Sequence, residues 1–143
     1  MKMRKTIWMA LLAGIATGPT AADARTIWDG VYSDAQAERG HTLYMQSCSR
    51  CHGADLAGTY EIPPLVGRFM PYYSGSSLDA LFDYVSTAMP LDHPGMLPAS
   101  ANADIVAYLL KANNLPPGPQ ELAPEAMKSI GFEARPPSRT NPK

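Results

Sequence analysis

The stretch Cys48-Ser49-Arg50-Cys51-His52 decides the fold of this chain. Two thiols three residues apart, with an imidazole directly after the second, form the attachment pattern of a c-type haem. Each sulfur can add to one vinyl group of the haem, and the adjacent imidazole can donate an axial nitrogen to the iron. Cys48 and Cys51 are the only cysteines among the 143 residues. The stretch therefore predicts one haem c, attached covalently through Cys48 and Cys51, with His52 as an iron ligand.

Three other uses of the two thiols compete with this interpretation. A thioredoxin-like redox pair is expected near a βαβ unit, and no such pattern surrounds residues 48–51. A zinc site would need His41 and His93 as its second pair of ligands, and these lack the usual paired spacing. A simple disulfide is compatible with an exported protein. The histidine after the second cysteine favours haem over all three, because Cys-x-x-Cys alone is far less specific.

The first 24 residues have the layout of a secretory signal peptide. Residues 2–5 include three basic side chains, residues 7–16 form an apolar stretch, and residues 22–24 supply small side chains for cleavage. The apolar stretch is about half of the roughly 20 residues that a membrane span needs. We expect cleavage after Ala24, with Ala22 and an uncleaved anchor as alternatives. The mature chain is then expected to be periplasmic and to contain no membrane span.

Length and charge limit the remaining possibilities. A chain of 143 residues is expected to form one domain. Loss of the first 24 residues would remove three basic side chains and one acidic side chain, changing the formal charge from −1 to −3. No basic run indicates binding to nucleic acid. A mildly acidic surface is compatible with docking to a basic protein partner.

The first predicted helix leads into the two thiols. Ser33 is a suitable N-cap, and Gln36 three residues later completes a capping-box pattern. An inward stripe with helical spacing includes Gly40 and Tyr44 and ends at Cys48. Since glycine is costly inside a helix, Gly40 is expected to lie where another backbone comes close.

Two further helices are predicted later in the chain. The second follows Ser76 or Ser77 and ends by Met89, because Pro90 disfavours helical geometry in the residue before it. The third runs from about residue 102 to Asn113, with apolar side chains on one face. No stretch has the alternation of a convincing strand.

The segments outside these helices are long and rich in Gly, Pro and Ser. Residues 53–75 and 90–100 are expected to wrap a large apolar ligand, because long loops are unusual in a small domain. Half of the fourteen prolines lie in residues 115–143. We therefore expect a haem-binding domain over residues 25–118 and a Pro-rich tail over residues 119–143 that is extended or partly disordered.

A second iron ligand would separate an electron carrier from a haem protein that binds small molecules. Met89 is the favoured candidate, because it lies where a helix ends and Pro90 stiffens the following loop. Met45 is too close to the attachment site to reach the opposite haem face, and Met127 belongs to the tail. Each methionine can also serve simply as core filling. The alternatives that stay open are Met70, His93 and Met96.

These residues make the chain resemble a class I cytochrome c. More narrowly, it resembles the small monohaem cytochromes associated with PQQ-dependent alcohol dehydrogenases. The resemblance covers about residues 28–118. It rests on four segments beside the first helix, namely Cys48 to Gly53, Pro63 to Gly67, Met89 to Gly95, and Ala107 to Asn113.

The resemblance implies an all-α fold of three to four short helices, with long loops wrapped around one covalent haem. It implies His52 and Met89 as axial ligands and the Pro64 carbonyl as the acceptor for the His52 imidazole. It also implies that Gly40 and Tyr44 meet Tyr108 where the first and last helices cross. Leu65, Tyr73 and Phe82 are expected beside the haem, with Tyr73 near a propionate. Asn114 takes a place where the family commonly has glycine.

The implied function is that of a periplasmic monohaem cytochrome that transfers single electrons and is not an enzyme. Expected partners are a quinoprotein dehydrogenase and a terminal oxidase or another cytochrome. One alternative is a permanent cytochrome subunit of a quinoprotein dehydrogenase complex. A second alternative is a ligand-binding or peroxidatic haem protein with an open sixth iron site.

Overall fold

Helices dominate the computed structural model, which describes residues 25–133. The elements in chain order are α1 (Asp34–Ser47), α2 (Ser49–His52), α3 (Phe69–Tyr72), β1 (Ser76–Ser77), α4 (Leu78–Ala88), α5 (Ala99–Ala112), a 3-10 helix (Pro124–Ser129) and β2 (Gly131–Phe132). The predicted signal peptide and residues 134–143 lie outside the described residues. Within residues 25–133, no helix is both long enough and apolar enough to cross a membrane.

The crossing of α1 and α5 is the largest contact between elements. Gly40 makes it possible, because a Cβ at this position would lie 1.8 Å from the carbonyl oxygen of Asp104. Beside this point the rings of Tyr44 and Tyr108 pack with their centroids 5.2 Å apart. Both contacts agree with the sequence prediction. Across the rim of the crossing, Arg39 pairs with Asp104 at 3.0 Å.

The N-terminus of α1 differs in one respect from the capping-box prediction. The Ser33 hydroxyl accepts a hydrogen bond from the Gln36 backbone N–H at 3.1 Å, as expected for an N-cap. The Gln36 side chain does not complete the box. It is buried and donates to the Leu122 carbonyl at 2.9 Å, while its own carbonyl accepts from the Leu122 N–H at 2.6 Å. A long-range partner has replaced the local one.

Helices α4 and α5 agree with their predicted positions except at one end. Helix α4 follows Ser77 and ends before Met89, as predicted. Helix α5 begins at Ala99, three residues earlier than predicted, because Pro98 occupies its N-cap and accepts a hydrogen bond from the Asn102 N–H at 3.1 Å. After α5, Asn114 has a left-handed φ of 62°, the conformation that a glycine adopts readily.

The first part of the tail differs from the expectation of an extended or partly disordered segment. Strand β2 pairs with β1 in antiparallel register, with Phe132 opposite Ser76. Met127 in the 3-10 helix and Phe132 are both buried, with 0% and 1% of their surface exposed. On its other side, Gly131 forms a parallel bridge to Thr26. Residues 119–133 therefore belong to the packed domain.

Candidate functional site

The two thiols lie where α1 meets α2, Cys48 between the two helices and Cys51 within α2. Cys48 follows the last residue of α1, and its N–H donates to the Tyr44 carbonyl at 2.8 Å. The chain then enters α2 at once, where the N–H groups of Cys51 and His52 donate to the Cys48 carbonyl at 3.1 Å and 3.0 Å. The two cysteines form no disulfide with each other. The local hydrogen bonds thus fix Cys48, Cys51 and His52 on one short, rigid segment.

Hydrogen bonding fixes the tautomer of the His52 ring. Its Nδ1 lies 3.1 Å from the carbonyl oxygen of Pro63. Because a carbonyl can only accept, Nδ1 carries the proton and donates it to Pro63. The lone pair of Nε2 is therefore left for a metal, which is the arrangement seen for metal-ligating histidines.

The acceptor for His52 corrects the prediction that named Pro64. The structure gives Pro63, one residue earlier. The path of the preceding loop explains the difference. The Gly58 N–H donates to the His52 carbonyl at 2.9 Å, and the Thr59 N–H donates to the Ile62 carbonyl at 2.9 Å. These bonds turn the chain back sharply, so that the Pro63 carbonyl faces the imidazole.

Tyr44 anchors the residue that follows the attachment segment. Its hydroxyl donates to the Gly53 carbonyl at 2.6 Å, and its side chain is fully buried. Burial is the main reason why the pKa of Tyr44 is raised, and Cys48 and Tyr108 add to the effect. The hydroxyl therefore remains a donor at physiological pH. The sequence placed Tyr44 in the helix crossing but gave no sign of this second role.

The Cys48 thiol is uncharged at neutral pH. Burial raises its pKa to about 11, and the neighbouring Cys51 adds to the effect. Since the thiolate is the form that attacks in disulfide exchange, a neutral thiol reacts slowly in such exchange. Cys48 is therefore a poor attacking group in such exchange.

Met89 lies at the C-terminal end of α4, where the backbone turns from helical to extended, with ψ of 154°. Its side chain is half-buried. The alternatives are placed differently: Met96 is 60% exposed, the His93 side chain is 70% exposed, and Met70 packs against the core. Met127, which the sequence placed in the tail, is part of the core.

The residues predicted to lie beside the haem all pack against the hydrophobic core. Leu65 and Phe82 are half-buried and pack against the core cluster. Tyr73 also packs there, with its ring 5.5 Å from those of Phe69 and Phe132. Its ring therefore has an aromatic environment, and its contact with a propionate stays a prediction.

Asn113 connects the end of α5 to the loop that carries Leu65. Its side-chain amide donates to the Leu65 carbonyl at 2.8 Å and accepts from the Gly67 N–H at 3.2 Å. The asparagine was part of the family pattern in the sequence, but its clamping role depends on a contact 48 residues away.

The donor set of these residues fits a c-type haem. Two cysteines lie on the segment that also carries an imidazole with an unprotonated Nε2, and a thioether lies on a separate loop. The half-buried side chains of Leu65 and Phe82 pack against the core. Across residues 25–133, no three His, Cys, Asp or Glu side chains cluster as a metal site would need. This counts against the zinc alternative.

Residues 35–109, just over half of the chain, match the family described as "Cytochrome C oxidase, cbb3-type, subunit III". The chain belongs to this family. It is accordingly a c-type cytochrome, and the predicted class I cytochrome c fold is confirmed. No curated protein matches the chain.

A solved structure supports the fold of this cytochrome. The crystal structure of the sulfane dehydrogenase SoxCD from Paracoccus pantotrophus contains a similar chain, with a TM-score of 0.53 and 24% sequence identity. The likeness covers 76% of this cytochrome but 60% of that chain. At this identity it is evidence for the fold alone. The narrower resemblance to cytochromes of alcohol dehydrogenases has no counterpart among these matches.

Proposed function

We propose that this cytochrome is exported to the periplasm and transfers one electron at a time between protein partners. The observation that carries the proposal is the His52 imidazole, held by the Pro63 carbonyl at 3.1 Å on the segment that also carries Cys48 and Cys51. The family match supports a haem electron-transfer protein. The signal-peptide pattern of residues 1–24 supports export.

Cys48 and Cys51 would hold the haem covalently, and His52 and Met89 would be its axial ligands. When bound, haem c supplies an iron that alternates between Fe(II) and Fe(III). The Pro63 carbonyl keeps the His52 ring in one orientation and leaves Nε2 as the donor. The thioether of Met89 would be a weak donor to the iron, and a donor of this kind favours Fe(II) and raises the reduction potential. Leu65 and Phe82, half-buried against the core, would add apolar surface beside the group.

The need for redox partners follows from the chemistry of an electron carrier, whereas the partners named below are proposed from the resemblance to cytochromes of quinoprotein dehydrogenases. A carrier with both axial positions filled has no place to bind a substrate, so it must exchange electrons through its surface with other redox proteins. We propose a quinoprotein dehydrogenase as donor and a terminal oxidase or another cytochrome as acceptor. Such contacts are typically small and transient.

The test of this function is a redox titration of the exported protein, followed by exposure of the reduced form to carbon monoxide. We expect a single one-electron transition and a reduced spectrum that the gas leaves unchanged, because Met89 occupies the sixth position. A rapid spectral change with carbon monoxide would contradict the carrier proposal. It would favour the alternative of a ligand-binding or peroxidatic haem protein.

A second candidate is a cytochrome that belongs permanently to an enzyme complex. Large apolar side chains that are well exposed favour it, including Leu91 at 76% and Met96 at 60%. Both are near Met89 in the chain. Co-purification with a quinoprotein dehydrogenase would support this candidate. A monomer at all concentrations, with no stable partner, would support the free carrier.

A further inference from the structure

Met89 is followed by a surface loop that is closed mainly by its own backbone. The His93 N–H donates to the Pro90 carbonyl at 3.0 Å, and the Gly95 N–H donates to the Met89 carbonyl at 3.3 Å. Leu91 is 76% exposed, so the loop gains little from apolar packing. A loop of this kind opens at low free-energy cost. Its position relative to the attachment segment therefore depends on whatever else holds it.

An ion pair connects this loop to the attachment segment. The guanidinium of Arg50, between the two cysteines, lies 2.5 Å from the carboxylate of Asp92, three residues after Met89. The partners are 42 residues apart in sequence. Arg50 stands on α2, which is fixed by its own helical hydrogen bonds, whereas Asp92 stands on the weakly packed loop. The pair thus joins the segment carrying His52 to the loop carrying Met89.

The charges of both partners are present at neutral pH. Desolvation raises the pKa of Asp92, but the backbone hydrogen bond of Asp92 and the charge of Arg50 outweigh it, so that the pKa is lowered. The His93 ring lies 3.6 Å from the other carboxylate oxygen and does not separate Asp92 from Arg50. Both side chains are solvent-exposed, so the pair is a modest and salt-sensitive restraint.

We propose that Arg50 and Asp92 form a latch that holds the Met89 loop against the attachment segment and so slows replacement of Met89 by external ligands. They are positioning residues, since they act through Met89. The inference rests on the proposed function, in which Met89 is an iron ligand. It adds that Arg50, one of the two unspecified positions in the Cys-x-x-Cys-His pattern, controls how readily an external ligand replaces Met89.

The test uses imidazole as the external ligand of the oxidised protein. Arg50→Gln and Asp92→Asn are each expected to raise the imidazole binding constant about two- to fivefold, the effect of losing an exposed ion pair. The charge-swapped double variant, Arg50→Asp with Asp92→Arg, is expected to return at least halfway to the unmodified protein. Arg39→Gln is the control, because it removes one positive charge and breaks the pairs with Asp104 and Glu121, which lie outside the Met89 loop. It should leave imidazole binding unchanged.

Two further readouts separate the latch from a general loss of stability. Amide hydrogen exchange in residues 89–96 should quicken in Arg50→Gln but not in Arg39→Gln. The difference between Arg50→Gln and the unmodified protein should shrink in about 1 M salt, because screening already weakens the pair.

The outcomes also distinguish failure of the latch from failure of the proposed ligation. If the unmodified oxidised protein lacks a near-infrared sulfur-to-iron band, Met89 ligation and the latch both fall. If that band is present, and both single variants bind imidazole and exchange amides like the unmodified protein, the latch alone is overturned. An effect of Arg39→Gln equal to that of Arg50→Gln would also overturn it.

Discussion

Replacement of Gly40 by alanine is expected to cost on the order of 3–5 kcal/mol in the free energy of unfolding, enough to prevent folding of a marginal domain. The added Cβ would lie 1.8 Å from the Asp104 carbonyl oxygen and 2.9 Å from the Cβ of Tyr108. The first of these is backbone, which cannot rotate away. Helices α1 and α5 would have to separate, and the contact that closes the fold would open.

Chemical unfolding of the haem-loaded protein measures this effect. Gln46→Ala, on the exposed face of the same helix, is the control and should change stability by no more than about 0.5 kcal/mol. Helix propensity alone predicts the opposite sign for Gly40→Ala, a gain of about 0.5–1 kcal/mol. A stabilised Gly40→Ala variant would therefore show that the two helices do not cross as described.

Replacement of Met89 by alanine is expected to have the largest effect on redox chemistry. The near-infrared sulfur-to-iron band of the oxidised protein should disappear, and the reduced protein should bind carbon monoxide. The reduction potential should fall on the order of 0.1–0.3 V, a fraction of the roughly 0.8 V over which axial ligands set haem potentials. The physical reason is that the thioether favours Fe(II), and its loss removes that preference.

Met96→Ala is the control for this experiment, because Met96 follows Met89 by seven residues and is 60% exposed. Its near-infrared band and potential should match those of the unmodified protein. The assignment would be contradicted if Met89→Ala kept the band while Met96→Ala or Met70→Ala lost it.

The features that could be predicted from sequence are those with a local cause. Ser33 caps α1 through a hydrogen bond to the N–H three residues later. Met89 ends α4 because a proline follows it. Gly40 stands in an amphipathic stripe, where its missing side chain indicates a close approach. The attachment pattern adds the covalent haem. The fold class rests on the wider resemblance to class I cytochromes c.

Features that depend on distant partners could not be read from the sequence. The Gln36 side chain looks like half of a capping box, yet a segment 86 residues away offers it two buried backbone groups. Buried polar groups are almost always hydrogen-bonded. The buried amide of Gln36 satisfies both of its groups by pairing with Leu122. No local pattern reveals that Leu122 will be its neighbour.

The tail shows the same limit on a larger scale. Its buried side chains fit neither the period of a helix nor that of a strand, and they are Leu122, Met127, Ile130 and Phe132. Strands of two residues are too short to produce an alternation. Contacts with β1 and with Thr26 order the segment. Thr26 lies near the N-terminal end of the described residues. The many prolines predict disorder, but tertiary packing orders residues 119–133.

The acceptor of the His52 hydrogen bond shows how a small error arises within a correct site. Pro63 and Pro64 are adjacent, so the composition of the loop does not distinguish them. Which carbonyl faces the imidazole depends on the path from Gly58 to Ile62, where a Cβ on Gly58 would lie 2.2 Å from the Ile62 carbonyl oxygen. The residue types allow a turn this tight, but they do not determine the path of its backbone.

Intact-mass spectrometry of the exported protein, after acidic organic extraction of any unbound haem, tests covalent attachment most directly. We predict the mass of the chain after signal removal plus one haem, and the polypeptide mass alone for a variant with Cys48→Ala and Cys51→Ala. An unmodified protein that carries no added haem mass, in cells that attach haem to another c-type cytochrome, would contradict the account.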